Sequence, residues 1–506
     1  MLCDMYLKRT YIKNLKILAV IVLAVTVSGC GRRSDGTEGK ATETRNAVIF
    51  FVDTLRADHI GAYGYKRPTS PFVDKMAAGG VRFEDAYTPT PWTYTSAASL
   101  FTGLYPAAHG AFMPGTMRDT NETPRGVTKI DFKFRTIGHV AESAGMKTAL
   151  FAANGYLGFG LQKGFGIFKK NRKRDAEKQV DLALKWLSKL DEDDRFLLIV
   201  HFMDVHHPSR ARKQDRAHFP GLSRLTDRQF DFYRRWQGRY ARGDNPQKKR
   251  GFKTFRKRRR DTYDAAIRSV DEQVRRLVSS LGKRSENTVV IFTADHGEEF
   301  WEHAGLERQL YEDPRGLHGI GHGHTFFEEQ LRVPLVFYQP GVLKPRVVKG
   351  RALLIDIVPT LTDMLGIRDT APREGVSLKE SLLEGTPVAD RPILLDEVCF
   401  GHPKQGILSG SEKFVRSWKE PSLLLNLKDD PGEQKNLMES MPEKAAALEK
   451  QLEKMLEKSR NLGNRIRGKP ADKVHKFSDE ELKALEALGY VWSDNKEDSG
   501  PPENME

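Results

Sequence analysis

Asn46-Ala-Val-Ile-Phe-Phe-Val52, running straight into Asp53-Thr54-Leu55-Arg56-Ala57-Asp58-His59, is the stretch that decides the fold. A continuous apolar run bounded by polar residues reads as a strand buried on both faces. Three further runs share that character: Lys147 to Phe151, Arg195 to His201 and Asn287 to Thr293. Amphipathic stretches of helical period lie among them, at Pro71 to Gly79, Phe132 to Gly145, Arg174 to Leu190 and Asp261 to Leu281. Alternation of buried strands with helices predicts an α/β fold whose central, mostly parallel sheet is covered by helices on both faces.

In such a sheet the functional groups sit just past the C-terminal ends of the strands. Asp53, Asn154, Asp204 with His206, and Asp295 with His296 all fall there. Packing alone does not bring four strand ends to polar, ligand-type residues. Beyond about Ala371 the pattern shifts to short strands, Pro392 to Leu395 and Lys413 to Trp418, then a helix near Glu443 to Lys458 and an acidic, proline-containing tail. The layout expected is a catalytic domain over 46–375, a small C-terminal α+β subdomain over 376–470 and a tail over 471–506.

The first thirty residues read as an export leader: Lys8, Arg9, Lys13 and Lys16 precede an apolar run from Ile17 to Val27, and Val-Ser-Gly-Cys closes it at Cys30. The apolar run is about half of the roughly 20 residues that span a bilayer, so lipidation of Cys30 is favoured over a membrane helix. A polar tether over 31–45 follows. The address expected is the cell envelope, lipid-anchored on the periplasmic face of a Gram-negative outer membrane. With Cys3 removed and Cys30 acylated, Cys399 is left alone, which excludes an intrachain disulfide in the mature chain.

The net charge is +14, yet Ser209 to Arg260 alone holds nineteen Lys/Arg against four Asp, so the rest of the chain is nearly balanced. In an exported enzyme this basic insertion, 209–260, fits anionic headgroups, polyanionic glycans, an anionic substrate or a merely solvated helix surface better than nucleic acid, which is not expected as a partner.

Three segments carry the chemistry. Asp53 at one strand end, and Asp295 with His296 in Thr293-Ala-Asp-His-Gly-Glu298 at another, make a divalent-metal set. Its oxygens and borderline nitrogen suit zinc, manganese or iron better than an all-oxygen calcium site. The third segment is Pro91-Trp-Thr93-Tyr-Thr95-Ser96-Ala97-Ala-Ser-Leu-Phe-Thr102-Gly103. Thr95 and Ser96 are good helix caps, and the helix they open would aim its N–H groups at the Thr93 region, a ready oxyanion site.

Together these segments resemble the sulfatase family of the alkaline phosphatase superfamily, from about Asn46 to Val491. The family signature places a Cys or Ser ten residues before the Gly of a Thr-Gly pair, and Thr102-Gly103 puts Thr93 there. The sequence departs from the signature at Thr93, at Thr95 in place of Pro and at Ala97 in place of Arg. The resemblance implies an alkaline phosphatase-like three-layer sandwich and one divalent metal (Mn, Zn or Ca) held by Asp53, Thr93, Asp295 and His296. It matches His206, or His207 if the register slips, to a residue contacting the transferred group, and His322 to the leaving-group residue. A second metal would draw on Asp204 and the histidines. Asn154, Asp204, His207 and His324 are further substrate candidates. In the family the Cys or Ser is oxidised to formylglycine; threonine does not fit that maturation, so an ester on Thr93 must be freed by water. The reading is therefore a metal-dependent hydrolase of anionic phosphate mono- or diesters. The alternatives are a sulfuric ester hydrolase without formylglycine and an inactive anion-binding envelope protein. Oligomeric state is not readable from the sequence.

Overall fold

Every residue of β1 (Asn46–Val52) is buried, and Ala47 to Val52 have no exposed surface at all, because parallel strands pair along both of its edges. A computed structural model describes residues 43–113, 126–170, 175–231, 251–311, 313, 315–468 and 474–487. The leader with Cys30, the tether up to residue 42, residues 232–250 of the basic insertion and the last residues of the tail lie outside the described residues.

The main sheet has eight strands. After β1 come β2 (Val81–Tyr87), β3 (Lys147–Ala152), β4 (Ile167–Lys170), β5 (Phe196–Phe202), β6 (Thr288–Ala294), β7 (Leu335–Tyr338) and β8 (Arg346–Leu353), in the spatial order β8-β2-β7-β6-β1-β5-β3-β4. Only β7 runs antiparallel, against both β6 and β2. The four predicted strands form the centre, with Phe51 level with Thr293 on one side and His201 on the other. Burying each Ile, Val or Phe there contributes about 1.5–3 kcal/mol.

Helices α1 (Pro71–Gly79), α2 (Thr93–Thr102), α3 (Ile137–Ser143), α4 (Ala176–Leu187), α5 (Phe252–Ser280) and α6 (Ile357–Met364) cover the sheet. α5 packs on α1 and α4, while α2 packs on α3 and α6, giving the α/β three-layer arrangement the sequence pattern implies. α5 starts nine residues before the expected Asp261 because the apolar spacing of Phe252, Phe255 and Tyr263 continues through the basic run. Asp271 on α5 accepts the N–H groups of Phe72 and Val73 (3.0 and 2.8 Å), which satisfies the first turn of α1.

A second, antiparallel sheet follows: β9 (Ile393–Asp396), β10 (Lys404–Ser409), β11 (Glu412–Ser417) and β12 (Leu423–Asn426), backed by α7 (Pro442–Arg467). Lys413, fully buried, ties this sheet to the segment after the site: its Nζ donates to Phe326 O (2.9 Å), Glu328 Oε1 (2.7 Å) and Glu433 Oε1 (2.7 Å). Cys399 is buried, with its Sγ 4.0 Å from Met113 Sδ.

Removing one partner of a buried ion network leaves the others uncompensated. Lys413→Met is expected to cost about 3–5 kcal/mol of unfolding free energy, with part recovered in Lys413→Met/Glu433→Gln. Chemical denaturation reads both variants, and a single variant as stable as wild type would show that the triad does not hold the sheets together.

Candidate active site

Asp53 and Asp295 follow the ends of neighbouring parallel strands, so their carboxylates arrive at the same level. The chain turns sharply after Asp53: Thr54 has φ +59, a left-handed conformation uncommon for a β-branched residue. That turn lets Thr54 N–H reach Asp295 Oδ1 (2.9 Å), which also accepts the His296 N–H (2.7 Å). Tyr263 of α5 clamps it, its hydroxyl donating to Thr54 O (2.6 Å) and accepting from Arg56 N (2.9 Å). On the other strand Gly297 is required by contact, since a Cβ there would lie 1.9 Å from Glu329 O.

His296 holds its Nδ1 2.9 Å from Gly297 O, and a carbonyl only accepts, so the proton sits on Nδ1 and the Nε2 lone pair faces the cluster. Nε2 is 3.3 Å from Thr93 Oγ1 and 3.5 Å from Asp295 Oδ2. Thr93 Oγ1 is 3.4 and 3.5 Å from the two oxygens of Asp53. All four residues are fully buried.

Thr93 is the first residue of α2, and the cap residue Trp92 provides no side-chain hydrogen bond. Thr95 and Ser96 are therefore not the caps the sequence leads one to expect. Both lie inside the helix, where Thr95 Oγ1 donates to Ala111 O (2.9 Å) and Ser96 Oγ to Asp295 O (2.7 Å). Ser96 thus pins the helix to the strand end and Thr95 pins it to the loop at Ala111.

Asn154 follows β3, and its amide donates to Asp53 Oδ2 (3.2 Å) while its oxygen accepts from Tyr156 N (2.9 Å). It orients a carboxylate. His201, near the end of β5, is buried with Nε2 3.7 Å from Asp53 Oδ2, and among the described residues neither ring nitrogen has a hydrogen-bond partner. It is one of the three histidines of 201–207 that the sequence offers, with Asp204, as candidates for a second metal.

The four residues fit a divalent cation. Ligands about 2.0–2.3 Å from one ion stand about 3–4 Å apart, and the separations here run from 3.3 to 4.0 Å. Asp295 Oδ2 is buried with no hydrogen-bond partner among the described residues, and the ligand atoms of Asp53, Asp295 and His296 lie within 4.8 Å of one another. Burial pushes the Asp295 carboxyl up to about 7 and the His296 imidazole down to about 4, so a positive charge is what this pocket lacks.

His322 stands beside the cluster, its ring 4.4 Å from that of His296 and 5.0 Å from that of His206. Burial and the neighbouring His296 push the His322 imidazole down to about 4, against the opposing pull of Glu298. His206 Nδ1 is 2.6 Å from His207 O, and His207 Nδ1 touches the guanidinium of Arg259. Asp204 is 5% exposed and lines a cavity of about 250 Å³ with Arg210, Arg212 and Arg216. His324 goes elsewhere: its Nε2 is 3.0 Å from Glu307 and 3.5 Å from Glu299, a separate buried cluster. Arg259 and Glu298 are the site residues that sequence reasoning missed. Arg259 is masked by the basic run around it.

The chain matches the Sulfatase family over residues 45–367. It is similar to an arylsulfatase of Clostridium perfringens, 26% identical over 457 residues covering 78% of this chain and 90% of that protein. Among solved structures it is similar to BT4656 in complex with its substrate D-glucosamine-2-N,6-O-disulfate, with TM-score 0.65, 17% identity and 83% and 99% of the two chains covered. It is also similar to the phosphonate monoester hydrolase of Agrobacterium radiobacter, with TM-score 0.62, 18% identity and coverage of 82% and 96%.

Burial holds the Asp295 carboxyl up at about 7, so protons compete with a cation for it more near pH 6 than near pH 8, while His296, held down to about 4, is neutral over that range. Added manganese or zinc should therefore raise the melting temperature, more near pH 8 than near pH 6, by about 2.7 kcal/mol of stability at about 100 times the Kd. Asp295→Asn should lose the rise. Thermal denaturation with and without cation checks this, and an undiminished rise in the variant would remove Asp295 from the metal set.

Proposed function

The chain belongs to the sulfatase family, hydrolases acting on sulfuric or phosphoric esters, and from that premise we propose that it cleaves phosphate mono- or diesters through a covalent ester on Thr93. The observation that carries the reading is the placement of an alcohol, Thr93 Oγ1, within 3.3–3.5 Å of His296 and Asp53 at the N-terminus of α2.

Asp53, Asp295, His296 and Thr93 would hold the cation, manganese, zinc or calcium. When bound it supplies positive charge that lowers the Thr93 hydroxyl pKa and draws in the anionic ester. Thr93 Oγ1 gives its proton to Asp53, whose oxygens lie 3.4 and 3.5 Å away, and attacks phosphorus in line while the bond from phosphorus to the alcohol oxygen breaks. His322, with His206 beside it, gives the departing alcohol its proton. Negative charge on a bound ester, together with Glu298, favours the protonated ring that donation requires. The N–H groups of the first turn of α2 stabilise the oxygens that gain charge. Water then gives a proton to His322 and attacks the same phosphorus, the bond to Thr93 Oγ1 breaks, and threonine recovers its proton from Asp53. A formylglycine hydrate collapses to release its product without that second attack; a threonine ester has no such route, and phosphorus tolerates the second attack well.

A second reading, hydrolysis of sulfuric esters by the same threonine, draws support from relatives named as sulfatases and from the solved complex with a disulfated glucosamine. The phosphonate monoester hydrolase among the similar structures supports the phosphorus reading. Either way the substrate is an anionic ester. We place the enzyme at the cell envelope, anchored to the membrane through lipid on Cys30 after removal of residues 1–29, with the tether, catalytic domain, C-terminal subdomain and tail following in the order given above.

Thr93→Ala should lower kcat on the order of 10⁴-fold or more with an unchanged melting temperature, and Thr93→Ser should retain turnover. The assay uses nitrophenyl phosphate, bis(nitrophenyl) phosphate and nitrophenyl sulfate with manganese or zinc. Undiminished turnover in Thr93→Ala would overturn the nucleophile, and preference for the sulfate would favour the second reading.

A further inference from the structure

Two buried charged residues stand beside His322, and the chemistry described so far gives Arg259 no role and Glu298 only its charge. Glu298 and Arg259 are 2% and 3% exposed. Glu298 Oε2 lies 2.8 Å from His322 Nδ1, and Oε1 lies 3.3 Å from a guanidinium nitrogen of Arg259. The other arm of Arg259 touches His207 Nδ1. Burying an ion pair costs desolvation that an apolar pair would not, so stability alone is a poor reason for it.

The backbone fixes the pair. Glu299–Phe300 and Ile320–Gly321 form a two-residue antiparallel ladder in which Glu299 is paired with Gly321, so Glu298 stands opposite His322 at its end. Gly297 seats the start of this segment against Glu329, where no side chain fits. Arg259 reaches in from α5, on the same helix face as Phe255 and Tyr263. Three separate elements thus meet at one carboxylate.

We propose that Glu298, held in place by Arg259, is a positioning residue that keeps a proton on His322 Nδ1, so that the second proton, taken up with the anionic ester, sits on Nε2 and faces the leaving oxygen. The proposal rests on the hydrolase reading above and narrows its substrate class. An imidazole held this way matters little to a nitrophenolate, which leaves unaided, and much to an alkoxide, which does not. The natural substrate is then an ester of an unactivated alcohol, such as a sugar or glycerol hydroxyl.

The test compares Glu298→Gln with wild type on the nitrophenyl ester that wild type turns over fastest and on the methyl ester of the same acid. Glu298→Gln keeps the shape and loses the charge. The expected result is a fall in kcat on the methyl ester of about tenfold to 100-fold, the usual cost of losing the partner of a functional histidine, at an unchanged KM. The loss on the nitrophenyl ester should be at least about tenfold smaller. His322→Ala should show the same selectivity, and the double variant should be no worse than His322→Ala alone. Equal losses on both esters, or losses that add to those of His322→Ala, would overturn the proposal. A second readout does not need turnover: in protein labelled with ¹⁵N-histidine, the signal lost in His322→Ala should report an Nδ1-protonated ring that changes in Glu298→Gln. An Nε2-protonated neutral ring in wild type would sink the positioning role by itself. A wild type that retains activity in Thr93→Ala would instead count against the threonine nucleophile and leave the tautomer result standing.

Discussion

Two carboxylates side by side in a dry interior repel each other and are poorly solvated, and the arrangement around Asp53 and Asp295 answers that constraint. Parallel pairing of β1 with β6 makes their proximity unavoidable, because both residues follow their strands at the same level. Asp295 takes two backbone N–H groups on Oδ1, and one of them is available only because Thr54 adopts φ +59. A β-branched residue held there stores strain, of order 1–3 kcal/mol, which the Tyr263 clamp retains. What backbone dipoles leave unanswered among the described residues is Oδ2, and a cation shared with Asp53, His296 and Thr93 would answer it.

The same constraint explains what was legible in the sequence. A strand flanked on both edges by parallel partners has no polar face, so β1, β3, β5 and β6 stand out as apolar runs, and the ligands stand out as the polar residues that stop them. β7 is only four residues long, and β8, an edge strand, carries Arg346, Lys349 and Arg351; neither offers a periodic signal. β2 alternates Arg82, Glu84 and Asp85 with buried neighbours and lies outside the central pattern. The caps were misread for a different reason. Thr95 and Ser96 have the right chemistry for an N-terminus, but a hydroxyl inside a helix can equally bond across to a neighbouring segment, and that choice is made by tertiary contact.

Charge composition misleads in a related way. The basic insertion reads as one surface, yet its described residues have divided tasks. Arg212 pairs with Asp215, Arg216 with Asp227 and Lys257 with Asp261, whereas Arg259 turns inward to Glu298. A run of like charge along a helix cannot all face one way at 100° per residue. One member of the run meets the core face, and a buried arginine there needs a buried carboxylate. The functional residue is the one whose neighbours on the helix, Phe255 and Tyr263, are apolar. That signal is present in the sequence as a charged residue at a core position.

The two histidines of Gly321-His-Gly-His324 show how little spacing alone decides. They lie two residues apart, and Glu298 and Glu299 are adjacent, so four side chains of the same two types crowd one short stretch of ladder. Successive residues on an extended chain point to opposite sides. Glu298 therefore goes to His322 at the site, and Glu299 goes with Glu307 to His324 behind it. Gly323, at φ +81, turns the chain between the histidines so that each meets its own carboxylate. The rear cluster is buried and satisfies itself largely from within, Glu307 accepting the Gly319 N–H and Glu299 the His303 N–H. One short ladder thus separates a set of groups that can face substrate from a set that braces the hairpin: alternation along the chain divides the two glutamates, and the turn at Gly323 divides the two histidines.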